Sequence, residues 1–173
     1  KRQPVRPILC WPAAGIMGVR ALTEPGQTSV VVDIGGTTTD LALILSGQPL
    51  LSSKGARVDS LLTHVRAFAV QSVAIGGDSA VAVNGGQGQA RGLTVGPHRD
   101  GPPVCLGGGC PTPTDALRVL GLSSIGDGAK AEQAMQILGQ DLGCSAAAAA
   151  RKTVAAAVDQ MVLELEEMLR EWE

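Results

Sequence analysis

Apolar positions change rhythm near Thr112. Before it, short apolar runs are cut by glycine, proline and polar clusters; after it, they recur every three or four residues. Residues 1–7 are basic and proline-bearing, an extended lead-in. Ala13-Ala14-Gly15 followed by Ile16, Met17, Val19 and Leu22 predicts a short helix starting near Pro12 and ended by Pro25-Gly26. Val30-Val31-Val32 and Leu41–Leu45 predict two strands around a short Gly/Thr turn. Gly47-Gln48-Pro49 is the next turn and Leu50–Ser53 opens a third strand, which makes a three-stranded antiparallel meander. Residues 57–69 mix apolar and charged positions and favour no element. Val70–Ile75 reads as a buried strand, and Ala80–Val83 with Gly92–Val95 as a hairpin around Asn84-Gly85-Gly86.

The second rhythm is helical. Thr112-Pro113-Thr114-Asp115 opens a helix, with threonine as cap and Asp115 at the positive end of the helix dipole; Leu117, Val119 and Leu120 carry it to Gly121. Asp127–Leu142 is a second helix with Ala131, Ala134, Met135 and Leu138 inward. Ser145 caps the last helix, which runs to about Glu173. On it Val154, Val158, Met161, Leu165, Met168 and Trp172 recur at spacings of four and three, an a/d seam between acidic positions. Two placements stay open for that seam. It packs on the chain's own sheet or preceding helix, or it pairs with a second copy (a homodimer) or with an absent part of a parent protein. The pattern as a whole predicts one α/β domain over 1–173, strand-rich over 1–111 and helical over 112–173.

Composition narrows the function. A net charge of −2 gives no electrostatic case for nucleic acid. One Phe, two Trp and no Tyr leave no platform for base stacking. No run approaches the roughly 20 apolar residues of a membrane span. The chain starts at Lys1 with no visible signal peptide, which predicts an internal piece of a longer protein. Four cysteines without C-x-x-C spacing and only two histidines argue against zinc and for reduced, cytoplasmic thiols.

The candidate chemistry lies in Asp33–Asp40, DIGGTTTD. Gly35 and Gly36 let backbone N–H groups approach a phosphate; Thr37, Thr38 and Thr39 add hydroxyl donors. Asp33 and Asp40 suit Mg²⁺, or water held on it, and are the candidate catalytic acids. A plain tight hairpin is the competing reading. Gly76-Gly77-Asp78-Ser79 is a second polar turn, either ligand-facing or merely a turn, in which Asp78 would repel a phosphate unless a metal intervened. Gly96–Pro113 is a Gly/Pro-rich loop that holds His98, Arg99, Asp100, Cys105 and Cys110. His98 reads as a solvated loop histidine in preference to a base.

DIGGTTTD resembles the phosphate loop of the sugar kinase/actin/heat-shock ATPase superfamily, and more narrowly of the hydantoinase A/5-oxoprolinase family. Other stretches agree in order: Trp11–Val19, Leu93–Pro97, and Cys105–Gly121 with its PTPTDALRVLG string. The resemblance implies a ribonuclease-H-like, mixed, largely antiparallel sheet with packed helices. It implies ATP and Mg²⁺ as cofactors and a hydantoin- or 5-oxoproline-like cyclic amide as substrate. Gly35, Gly36, Thr37, Thr38 and Thr39 would cradle phosphate, with Gly76, Gly77 and Ser79 in a second ligand-facing loop. Asp33 would orient Mg²⁺ through water; Asp40 would hold the threonine turn or share the metal. Family members carry a related loop upstream, so the missing half becomes a partner and the chain alone would be inactive. The chain departs from the family pattern in two places. Asp78 stands where the family has glycine, and His98–Pro103 replaces a longer small-residue segment. Two other readings share the loop: a non-catalytic nucleotide-binding or assembly module, and a sugar- or acid-kinase-like phosphotransferase, which lacks the PT-x-TDA string.

Overall fold

A computed structural model describes residues 10–22, 24–52, 57–58, 61–62, 68–85 and 92–170, with backbone alone at 10–13, 57–58 and 61–62. The basic lead-in, most of 57–69, Gly86 and Trp172 lie outside the described residues. The fold is the expected mixed α/β class with antiparallel pairing. The chain divides into two compact units: Lys1–Asp33 with Asp40–Ser72, and Ile34–Thr39 with Val73–Glu173.

In the first unit, α1 (Cys10–Leu22) precedes β1 (Ser29–Ile34) and β2 (Thr39–Leu45). β2 is central: β1 pairs with it, and so do β3 (Gln48–Pro49) and β6 (Val70–Val73). Two short strands, β4 (Arg57–Val58) and β5 (Leu61–Leu62), pair with each other. The turn before β3 falls at Ser46-Gly47, starting one residue earlier than the sequence suggests, and pairs Ile44 with Pro49 and Leu45 with Gln48. Both turn residues have positive φ, 49° and 76°. That matches a two-residue hairpin turn whose twist suits the strands, so Gln48 is already in the strand. Ile16, Val31, Ala42 and Ile44 form the core, with Val19, Phe68 and Val70 at its margin. β1 buries one face only; Val30, Val32 and Ile34 point outward and are exposed.

In the second unit, β7 (Val81–Asn84) pairs antiparallel with β8 (Gly92–Val95). A 3₁₀ turn at Val104–Leu106 leads to α2 (Pro113–Val119), α3 (Gly128–Leu142) and α4 (Ala146–Arg170). Thr112 and Asp115 form a reciprocal capping box at α2, and Asp127 caps α3. The inward residues of α3 are Ala131, Ala134, Met135 and Leu138, as its period predicts, together with Gly139.

α4 differs in part from expectation. Its buried residues are Ala149, Ala150, Thr153, Ala157 and Met168; of the predicted seam Met168 is buried, Val154, Met161 and Leu165 are half-buried, and Val158 is exposed. Val158 is 47% exposed. The helix packs on α2, α3 and β8 within the same unit. Alanines let those neighbours approach closely. No helix among the described residues is long and apolar enough to cross a membrane.

Candidate functional site

The hairpin tip is built by the strands on either side of it. Gly35, Gly36, Thr37 and Thr38 are exposed. The Gly35 N–H donates to Thr38 O at 2.8 Å and closes the turn. The tip's carbonyls face the second glycine turn: Gly77 N–H donates to Gly35 O at 2.9 Å and Asp78 N–H to Gly36 O at 2.8 Å. The N–H groups of Gly36, Thr37 and Thr38 and the hydroxyls of Thr37 and Thr38 have no hydrogen-bond partner among the described residues. Carbonyls are thus tied back while three donors stay open, the arrangement an anion needs.

Thr39 leaves the candidate phosphate set. It is fully buried, and its hydroxyl donates to Ile75 O at 2.7 Å. As the first residue of β2 it faces the interior, and a hydroxyl there must find a protein acceptor.

Gly76, Gly77 and Ser79 are likewise not a second anion cradle. Gly76 N–H donates to Ser79 Oγ, Gly77 N–H to Gly35 O, and Ser79 N–H to Gly76 O. The backbone donors of this turn are used within the protein. The turn is a brace for the tip, and it is braced in turn by α2: Thr114 donates to Gly77 O from both its N–H, at 3.0 Å, and its hydroxyl, at 2.8 Å. A Cβ on Gly76 would lie 2.5 Å from Gly35 O and from Gly36 C and O, so this contact requires glycine.

Asp78 and Arg99 form an ion pair, Nη2 to Oδ2 at 2.6 Å. The same Oδ2 lies 2.8 Å from where a Cβ on Gly36 would stand, which puts the carboxylate against the tip. Arg99 was not singled out by the sequence. Its signal was indirect: an acid at the tip's brace calls for a cation, and the shortened loop supplies one. His98 is exposed and uses its carbonyl to accept from Ala80 N–H.

In the first unit, Asp33 and Asp40 line a small, shallow recess with Gly15, Ile16, Val31, Ala42 and Val70. Asp33 shares a strand face with Val31, and Asp40 with Ala42, two residues along each strand. Gly15 of α1 leaves room beside Asp33; a Cβ there would sit 3.4 Å from Asp33 Oδ2. Asp40 Oδ1 accepts from Ser72 on β6 at 2.6 Å, so it ties to a neighbouring strand and not to the threonine turn. Carboxylates are the side chains that Mg²⁺ takes in phosphate-transfer sites, where water and phosphate complete the shell. Among the described residues no group of three or more His, Cys, Asp or Glu is placed to hold a metal by itself.

Asp115, the acid of the PT-x-TDA string, is fully buried and accepts four hydrogen bonds. Oδ1 takes Cys105 N–H (2.7 Å); Oδ2 takes Thr112 N–H (3.0 Å), Thr112 hydroxyl (2.8 Å) and Val104 N–H (3.0 Å). It locks the 3₁₀ turn to α2. Burial first, then its hydrogen bond and the charge of Asp115, push the Cys105 thiol up to about 11. Burial also raises Cys110.

Sheet, glycine–threonine tip and brace together make a mixed α/β fold with antiparallel pairing. The chain belongs to the hydantoinase/oxoprolinase family, whose model matches residues 1–172. Among solved structures, an acetone carboxylase in a nucleotide-free state is similar over 93% of this chain and 24% of its own, with 25% identity and a TM-score of 0.70. An ATP-dependent caprolactamase from Pseudomonas jessenii is similar over 91% and 24%, with 27% identity and a TM-score of 0.68. The chain thus spans about a quarter of each of these structures. A comparison with curated protein sequences finds no match.

Proposed function

We propose that this chain holds the nucleotide phosphates in an ATP-dependent enzyme that opens cyclic amides. The observation that carries this reading is the tip, where three unpartnered N–H groups and two free hydroxyls are exposed while the carbonyls are tied back. Family membership supports it, as do the structural neighbours, an enzyme of ATP-dependent acetone carboxylation and an ATP-dependent caprolactamase.

ATP would supply a phosphoryl group to the amide oxygen, which opens the amide carbon to attack by water; the ring C–N bond breaks with nitrogen leaving as the amine, and phosphate is released as the carboxylate forms. The chain's own residues do the positioning, which is most of phosphoryl-transfer catalysis. Gly36, Thr37 and Thr38 bind phosphate oxygens through N–H groups, and the hydroxyls of Thr37 and Thr38 add two more donors. Asp33 holds Mg²⁺ through water, with the free oxygen of Asp40 as second acceptor. The free thiols of Cys105, Cys110 and Cys144 suit a reducing cytoplasm. The remainder of the nucleotide cleft, and the cyclic amide, come from outside these residues.

In the complete enzyme Asp33→Asn lowers turnover at saturating ATP by about 100-fold or more. Mg-ATP binds the 173-residue chain with a Kd weaker than about 100 µM, shallow affinity for one side of a cleft. Amide resonances of Gly36–Thr38 that stay fixed at millimolar Mg-ATP, or an Asp33→Asn enzyme with unchanged turnover, refute the reading.

A further inference from the structure

The tip carries a charge problem that the proposed function leaves unsolved. The Asp78 carboxylate lies against Gly36, one of the three residues whose N–H groups are open. It cannot withdraw. Its own N–H donates to Gly36 O at 2.8 Å, and the flanking Gly77 and Ser79 are bonded to Gly35 and Gly76. Its side chain is only 19% exposed, so water screens it poorly. A phosphate on the tip would therefore meet a fixed negative charge at close range.

Arg99 answers that charge. Nη2 reaches Asp78 Oδ2 at 2.6 Å, and Nε donates to Gly101 O at 3.3 Å, so the guanidinium is held at two points. Asp78 and Arg99 both belong to stretches where the sequence departs from the family motifs it otherwise resembles, and the structure joins one departure to the other.

We propose that Arg99 is a positioning residue of the tip: its guanidinium cancels the Asp78 carboxylate beside Gly36, and phosphate binding at Gly36–Thr38 depends on that cancellation. The role acts through Asp78 and not by contact with the phosphate. It rests on the phosphate-binding reading given above.

The test is an amide-resonance titration of the 173-residue chain with Mg-ATP at fixed salt, followed at Gly36, Thr37 and Thr38. Arg99→Ala weakens binding about tenfold, the effect of one uncompensated charge near the site. Arg99→Lys, which keeps the charge, stays within about threefold of the parent chain. The double variant Asp78→Asn/Arg99→Ala returns to parental affinity, a rescue that a merely structural role for Arg99 does not produce. Thermal melting of each variant confirms folding, which the 44% exposure of the Arg99 side chain favours. Three results overturn the proposal. Unchanged binding in Arg99→Ala means that Asp78 is harmless. A double variant as weak as Arg99→Ala means that Arg99 touches the ligand or holds the fold. A parent chain whose tip ignores Mg-ATP removes the phosphate reading and this inference together, whereas the first two results leave that reading standing.

Discussion

Asp115→Asn tests how much of the second unit hangs on one buried carboxylate. Asparagine keeps the shape but offers one acceptor oxygen and an NH₂ group. All four of the present partners are donors. The amide would turn its oxygen toward Thr112 and Val104, where three bonds meet, and its NH₂ toward Cys105 N–H. One buried backbone donor loses its acceptor, at about 1–3 kcal/mol, and three bonds fall from charge-assisted to neutral strength, together about 1–3 kcal/mol. Relief from burying a charge offsets part of this, which leaves a loss of about 2–4 kcal/mol. Against a total stability of about 5–15 kcal/mol this is a large fraction, and Tm falls by roughly 5–15 °C. Urea and thermal unfolding by circular dichroism measure it. The Cys105 thiol, now 4% exposed, becomes titratable by a thiol reagent well below the urea midpoint in the variant. A loss under about 0.5 kcal/mol, with Cys105 still protected, would falsify the latch.

Thr39→Val removes the donor to Ile75 O and lowers stability by about 1 kcal/mol, whereas Thr38→Val, at an exposed position, leaves the urea midpoint unchanged; equal effects would contradict the separation of the two threonines. The Cys105 thiol is held protonated in the folded state up to about 11 against 9.0 unfolded. Folding therefore takes up a proton between those values: the contribution is complete below pH 9 and is lost as pH rises toward about 11, more steeply than in Cys105→Ala. Ala157→Asp puts a charge on the buried face of α4 and unfolds the unit, while Val162→Asp, at a position 45% exposed, leaves Tm within a few degrees; matched melts compare them.

Local signals were legible where their physics is local. The capping box at Thr112 and Asp115, the Asp127 cap and the inward residues of α3 each depend on neighbours within a turn or two, so spacing alone reveals them. The tip between β1 and β2 was legible for the same reason. What sequence could not separate were three like threonines: only the register of β2 sends Thr39 inward and leaves Thr37 and Thr38 out. Gly76, Gly77 and Ser79 carry the composition of an anion loop, but Gly76 and Ser79 bond to each other, and the partners of Gly77 and Asp78, the carbonyls of Gly35 and Gly36, come from a distant stretch of chain. The α4 seam was legible only in part: Met168 is buried and Val154, Met161 and Leu165 half-buried, but Val158 is exposed. Period marks an apolar stripe, but Ala150, Thr153 and Ala157 beside it are small enough to let α2, α3 and β8 close in, and proximity outweighs hydrophobicity.

The turned-in carbonyls at Gly35 and Gly36 also bear on kinetics. A loop that must rotate its peptide planes to greet an anion surrenders conformational entropy at each encounter. Here the planes are set when the chain folds, by Gly77 and Asp78. On the proposed reading, arrival of a phosphate would need little local ordering, and its departure would release little. Exchange at this tip would then run at the pace of diffusion and desolvation.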